Sequence, residues 1–320
     1  MRYIDLHCDT IMKCYLDGIS LRANDAQIDL VRSVDSGLLA QCIAIFVPTN
    51  DAANTHGVTL PPDEYFYACL EVYQRELEEN RDLIAPAMCV QDIFDNADTG
   101  RLSSILTLED GVFVDGKLDR LDELYALGVR LISLTWNYEN CFGFPQSEDP
   151  DAMKLGLKPF GIEAVRHMNS LGIAVDVSHL SDGGFDDVAR HSQKPFAASH
   201  SCCRTLSDMG RNLTDSQLRT LGEKGGVCGI NFVPRFNEKG SEYTKTESVI
   251  RHIRHVADVA GVDAAAFGSD FDGFTGEIEF GDCSGMPGVI DELCKVFRES
   301  EVEKICKGNA LRFLSDVLKG

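Results

Sequence analysis

The chain has 320 residues, 44% hydrophobic and 25% charged, a globular average that excludes disordered and fibrous classes and leaves enough apolar residues for a sizeable core. Its 30 basic and 51 acidic residues give a formal charge of −21, a field that repels phosphate backbones and anionic lipid heads and argues against nucleic acid as a partner. No run approaches the ~18 apolar residues that span a bilayer, and no signal-peptide or lipid-anchor pattern is seen, so a cytoplasmic protein with no membrane partner is expected.

In chain order, "RYIDLH" (2–7) opens a strand that runs into polar residues. Strand alternation sends Asp5, His7 and Asp9 to one face, where a carboxylate and an imidazole can meet at a metal. "LLAQCIAIFV" (38–47), "SILTLE" (104–109), "VRLISLTW" (129–136), "GIAVDVSH" (172–179), "PFAASH" (195–200), "GGVCGINF" (225–232) and "AAFGSDF" (265–271) follow as further strands. Several are near-continuous apolar runs, the pattern of parallel strands covered on both faces.

Helical patterns lie between them at 62–80, 160–171 and 246–261. In the second, Ile162, Val165 and Met168 form a stripe, and Gly172 is placed to end the helix. Residues 81–103 match neither pattern. The longest polar connection, 137–159, follows the fourth strand and is long enough to cover a site. Eight alternating units predict a single α/β domain over 1–320, a (β/α)8 TIM barrel of the metal-dependent hydrolase type, with an open doubly wound sheet as the competing fold.

In such a barrel the chemistry sits at the C-terminal ends of the strands, and there the unusual polar residues gather: His7 and Asp9, Glu109, His179, His200, and Asp270 with Asp272 just beyond. Singly, each has a plainer reading that outweighs a ligand: H-x-D a hydrogen-bonded strand terminus, "TLEDG" a turn, "DVSH" and "ASHS" helix N-caps, and "GSDFDG" a capped loop. Together, three carboxylates and three imidazoles concentrate negative charge that a pair of divalent cations would neutralise. By contrast, His252 and His255, beside Arg251 and Arg254, read as a solvated basic helix face, and His56, His167 and His191 have no evident partners. The twelve cysteines contain no C-x-x-C pair and read as reduced thiols, with Cys42, Cys69 and Cys228 in apolar settings and Cys202–Cys203 beside His200.

With "DLHCDT", "LTLEDG", "GVRLISLT", "GLKPFG", "DVSH", "SHS", "GRN", "NF", "GSDFDG" and "GNALRFL" in order from residue 5 to 314, the chain resembles the membrane dipeptidase (renal dipeptidase) family of binuclear zinc peptidases. The resemblance implies two Zn²⁺ ions, one held by His7 and Asp9, the other by His179 and His200, with Glu109 bridging. It implies hydrolysis of small dipeptides by a metal-bridging hydroxide, with Asp270 as acid/base group and Arg211 receiving the substrate carboxylate. Taken alone, Arg211 reads as an ordinary surface arginine. Relatives tolerate a D-residue on the carboxyl side and commonly dimerise, so a homodimer is compatible with the resemblance. One position departs: Trp136 stands where known relatives carry a histidine that stabilises the oxyanion, which leaves open an N–H donor, an apolar wall for substrate, or simple packing. The alternatives are a binuclear hydrolase of another small amide, such as a lactam or N-acyl amino acid, and a metal-binding barrel without catalysis. Asp5, deeper in the strand, is expected to support the ligands from behind.

Overall fold

The computed structural model describes residues 1–319. Eight strands carry the barrel: β1 (Tyr3–Cys8), β2 (Leu38–Phe46), β3 (Leu102–Glu109), β4 (Val129–Ser133), β5 (Ala174–Asp176), β6 (Ala197–Ser201), β7 (Val227–Ile230) and β8 (Ala265–Phe267). Each pairs in parallel with the next, and Asp5 of β1 registers with Phe267 of β8 to close the ring. Every residue of these strands is buried, the physical reason their sequences are apolar almost without interruption. The closed barrel is the expected fold, and the open sheet is excluded.

One buried cluster takes residues from all eight strands, among them Ile4, Cys42, Ile105, Leu131, Ala174, Ala197, Val227 and Ala266. Three of these are the first residues of their strands, and Phe313, Leu314 and Val317 of the helix Asn309–Val317 pack against them, plugging the end where the strands begin. A larger cluster joins the strands to the surrounding helices. With one end plugged and the wall sealed by helices, the opposite mouth is left for chemistry.

The three helical readings hold as Pro62–Glu79, Pro159–Leu171 and Thr246–Ala260. Gly172 ends the second with φ 93°, a conformation that costs a residue with a Cβ. The stretch 81–103 contains a three-residue strand, Ile84–Pro86, pairing with the start of β3, and a helix, Val90–Asp98. The 137–159 connection is pinned beside the mouth rather than free: Gln146 N donates to His179 O (2.7 Å) and Ser181 N to Phe144 O (3.1 Å). Among the described residues no helix is long and apolar enough to cross a membrane.

Candidate metal centre

His7 lies in β1 and Asp9 just after it, Glu109 ends β3, His179 and Asp270 follow β5 and β8, and His200 lies in β6. Barrel closure brings all six together. Glu109 stands at the centre with its two oxygens facing different partners. Its Oε2 lies 3.6 Å from His7 Nε2, which is in turn 3.3 Å from Asp9 Oδ2. Its Oε1 lies 3.0 Å from His179 Nε2 and 3.4 Å from His200 Nε2, and those two nitrogens are 3.1 Å apart. The His7 and His200 rings stack at 3.7 Å, so the two halves are contiguous.

The electrostatics of the cluster call for cationic charge. Burial opposes a charge on His7, yet Asp9 and Glu109 outweigh it and hold the imidazole well above its usual range. Burial likewise works against the Glu109 carboxylate, but His7 and the contacts from His179 and His200 hold it well below the usual carboxylate range. His179 is depressed to about 4, by burial and then by the positive field of Arg211. His200 is held well below its usual range by burial, then by the positive field of His7 and Arg211. Both imidazoles are therefore neutral, the form that ligates metals.

The donor set fits divalent metals. His7 Nε2 and Asp9 Oδ1 are buried without a hydrogen-bond partner, a cost natural proteins rarely leave unanswered. His179 Nδ1 lies 3.1 Å from Asn137 Oδ1, which can only accept, so the ring proton sits on Nδ1 and the Nε2 lone pair points at Glu109 and His200. Lone pairs of nitrogen and oxygen facing one another at ~3 Å need a cation between them, and imidazole with carboxylate suits zinc. His7, Glu109 and His200 form one potential ligand triad, and His7, Asp9 and Asp270 another.

Asp270 departs from Glu109 in environment and in titration. Burial and the nearby carboxylates of Asp9 and Glu109 push it up to about 8, against the pull of His7. Asn231 Nδ2 donates to its Oδ2 at 2.8 Å, leaving Oδ1 turned toward His7 at 3.9 Å. A Cβ on Gly273 would collide with the Asp9 and Asp270 carboxylates, so glycine at that position lets the two approach. His179 and Asp270 both hold left-handed backbone, φ 68° and 64°, strain of the kind folds retain at functional sites.

The centre opens into a cavity of about 2360 Å³ whose lining includes Asp9, Glu109, Trp136, His179, Arg211 and Asp270. Arg211 is not a surface arginine. It is 4% exposed, with Nη1 donating to Ser201 Oγ and Nη2 to the His200 carbonyl, both at 2.8 Å, and its Nε has no partner. Trp136 is half-buried, its ring 4.9 Å from Phe46 and 6.0 Å from His179.

The sequence pattern of the membrane dipeptidase family (Peptidase family M19) matches residues 1–319. The chain belongs to the membrane dipeptidase family. It is therefore a metallo-dipeptidase hydrolase by family. An uncharacterized protein from the pqqA 5′ region of Klebsiella pneumoniae is 36% identical over 226 residues, 68% of this chain and 82% of that one. An uncharacterized dipeptidase of Schizosaccharomyces pombe is 35% identical over 221 residues, 67% of this chain, a match that spans about half (52%) of the yeast protein. Among solved structures, a metallopeptidase from Rhodobacter sphaeroides, liganded with a phosphinate mimic of L-Ala-D-Ala, superposes with TM-score 0.90 at 26% identity, covering 99% of both chains. Dipeptidase AC, another M19 metallopeptidase, gives 0.90 at 27%, covering 100% of this chain and 99% of that one.

As a membrane dipeptidase family member, the chain has residues with structural duties that sequence reading missed or misplaced. Asn231, within the "NF" segment, orients Asp270 and also donates to the His200 carbonyl at 3.2 Å. Asn137 anchors His179. Asp5 supports from behind through the backbone rather than a ligand side chain: it accepts from His7 N at 3.4 Å, from Ser269 N and Oγ and from Gln41 Nε2, tying β1 to the segment after β8 that carries Asp270. Asp272 binds Thr10 Oγ1 at 2.6 Å and the Gln27 amide at 2.8 Å, a loop clamp. His252 is fully buried rather than solvated, accepting from Cys203 N (3.1 Å) and donating to Asn237 O (2.9 Å). His255 pairs with Asp215 at 2.7 Å. His56, His167 and His191 have partners in Ala52 O, Asp122 and Arg166. Cys202 and Cys203 are buried, their thiols pushed up by burial, as inert structural cysteines are.

Proposed function

We propose that this chain hydrolyses the amide bond of dipeptides at a two-zinc centre, with residues 1–320 acting as one catalytic barrel in the cytoplasm. The observation that carries the reading is the split of Glu109: Oε2 toward His7 and Asp9, Oε1 toward His179 and His200. His7 and Asp9 would hold one zinc, His179 and His200 the other, and Glu109 would touch both. Bound zinc ions would polarise the scissile carbonyl and supply a nucleophile from water near neutral pH.

The chain's own groups do the rest. Arg211, buried and fixed by Ser201 and the His200 carbonyl, offers a planar cation for the substrate's terminal carboxylate. Asp270 is poised as the proton carrier: Asn231 occupies Oδ2, and in the carboxylate form, which bound cations would favour against the effect of burial, Oδ1 would take a proton from the attacking water and return one to the leaving nitrogen. Trp136, braced by Phe46, forms an apolar wall of the cavity rather than a charged oxyanion partner. All twelve cysteines are free, which supports a reducing compartment.

Turnover of L-Xaa–L-Xaa and L-Xaa–D-Xaa dipeptides by zinc-loaded protein, with and without chelator, tests this. Chelator-sensitive cleavage of free-amine dipeptides, with N-acetylated forms inert, is the expected result. Cleavage of only the N-acetylated forms, or none by fully loaded protein, overturns it.

A further inference from the structure

Behind His200 lies a chain of hydrogen bonds that ends on a buried carboxylate. Asp176, at the end of β5, is 0% exposed and accepts from four donors. Its Oδ1 takes the amide protons of Ser178 (3.0 Å) and Ser199 (2.8 Å), and its Oδ2 takes the hydroxyls of Ser133 and Ser199, both at 2.5 Å. The same Ser199 Oγ lies 2.7 Å from His200 Nδ1. A serine hydroxyl has one proton to give. A carboxylate receiving four donors needs that proton, so the Ser199–His200 contact is made with the imidazole donating from Nδ1. The lone pair of His200 is then forced onto Nε2, the atom 3.4 Å from Glu109 Oε1.

We propose that Asp176 and Ser199 are positioning residues that set the tautomer and tilt of His200, and so build the half-site it shares with His179. This rests on the assignment of those two histidines to one metal. The two rings are held differently. Asn137, which holds His179 Nδ1, is half-buried and sits on the 137–159 connection, where water can replace it. Ser199 is completely buried, so solvent cannot replace its oxygen, and the neighbouring hydroxyl, Ser178 Oγ at 3.3 Å, is already engaged by the His200 amide. The analogous pair across the barrel, Asp5 and Ser269, has the same short contacts, but Ser269 Oγ turns to the His7 carbonyl and the Phe271 amide and touches no imidazole.

Two substitutions separate the hydroxyl's role from packing. Ser199→Ala removes the acceptor. Asp176→Asn keeps the volume but places an NH2 where Oδ2 stood, because the two backbone amides claim the remaining oxygen. That NH2 donates to Ser199, frees the serine proton for His200 Nδ1, and moves the ring proton onto Nε2. Zinc affinity and stoichiometry are measured per chain by competition with a chromogenic chelator, alongside Ser199→Thr and Asn137→Ala.

Wild type binds two zinc ions. In Ser199→Ala and Asp176→Asn one of the two sites weakens by ~10–100-fold while the other is unchanged, Ser199→Thr stays within a few-fold of wild type, and Asn137→Ala loses less than Ser199→Ala. Wild-type affinity at both sites in Asp176→Asn, or a Ser199→Thr protein as weak as Ser199→Ala, overturns the inference and leaves the two-zinc reading intact. A wild-type chain that binds fewer than two zinc ions overturns both.

Discussion

His252 gives one contribution to acid stability that can be worked out at a ring bonded to none of the candidate metal ligands. The ring lies on the inner face of the helix Thr246–Ala260, accepting from Cys203 N and donating to Asn237 O, so both nitrogens are satisfied only when it is neutral. Burial, followed by the weaker influence of Arg251 and His255 against the Asn237 bond, brings its pKa from 6.5 down to about 4. Above pH 6.5 neither the native nor the unfolded chain protonates this ring, and its packing counts in full. Between 6.5 and 4 the unfolded state binds a proton that the native state refuses, so stability falls as pH falls. The full drop of two and a half pKa units is worth ~3.5 kcal/mol at ~1.4 kcal/mol each, of which about 3 kcal/mol is lost by pH 4, where the native ring is itself half protonated. Urea unfolding of wild type and His252→Gln at a series of pH values isolates this, because the histidines of the candidate metal centre contribute to both proteins and cancel in the difference. The stability advantage of wild type should shrink by about 3 kcal/mol between pH 7 and pH 4. A difference that stays flat across that range refutes the argument.

Further outcomes follow from the site. Glu109→Ala should lower kcat/KM by ~10⁴ or more and reduce bound zinc below two per chain; full turnover in this variant would sink the shared-carboxylate arrangement. Asp270→Asn should lower kcat by ~10²–10⁴ with zinc stoichiometry unchanged, as titration with chelator would show. Arg211→Ala should cost roughly 2–5 kcal/mol in kcat/KM for dipeptides with a free C-terminal carboxylate and far less for dipeptide amides; equal losses on both would remove the carboxylate contact. Trp136→Phe should keep kcat within a few-fold, since an apolar wall survives the change, whereas a fall of ~10²–10³ would mean that the indole N–H serves the oxyanion.

How much of this was legible depends on the range of the interactions involved. The eight barrel strands could be read because parallel strands covered on both faces are apolar along their whole length, and their polar ends stand out against that background. Residues 84–86 were missed because three residues pairing with the base of β3 are too few to show a period. The helix Val90–Asp98 was missed because its N-cap is Cys89, a poor capping signal, with Asp92 reaching back to the Met88 and Cys89 amides. His252 was a misreading of a signal that was present: Val249, Ile253 and Val256 share its helix face and are buried with it, but the neighbouring arginines drew the reading toward solvent.

The residues that line the mouth were a property of the sequence by itself. A strand's length and its polar terminus are local, set by alternation and burial over a few positions, and β1, β3, β5, β6 and β8 announce His7, Asp9, Glu109, His179, His200 and Asp270 in that way. What each residue faces was decided only by the tertiary structure. Closure of β1 on β8 sets Asp270 beside His7, Glu109 divides its oxygens between histidines from both sides of the ring, Asn231 claims one oxygen of Asp270, and Asp176 acts on His200 through Ser199. Those contacts join residues from different strands, and the direction in which a hydroxyl or an imidazole points its single proton depends on every partner at once, information that no local stretch of sequence contains.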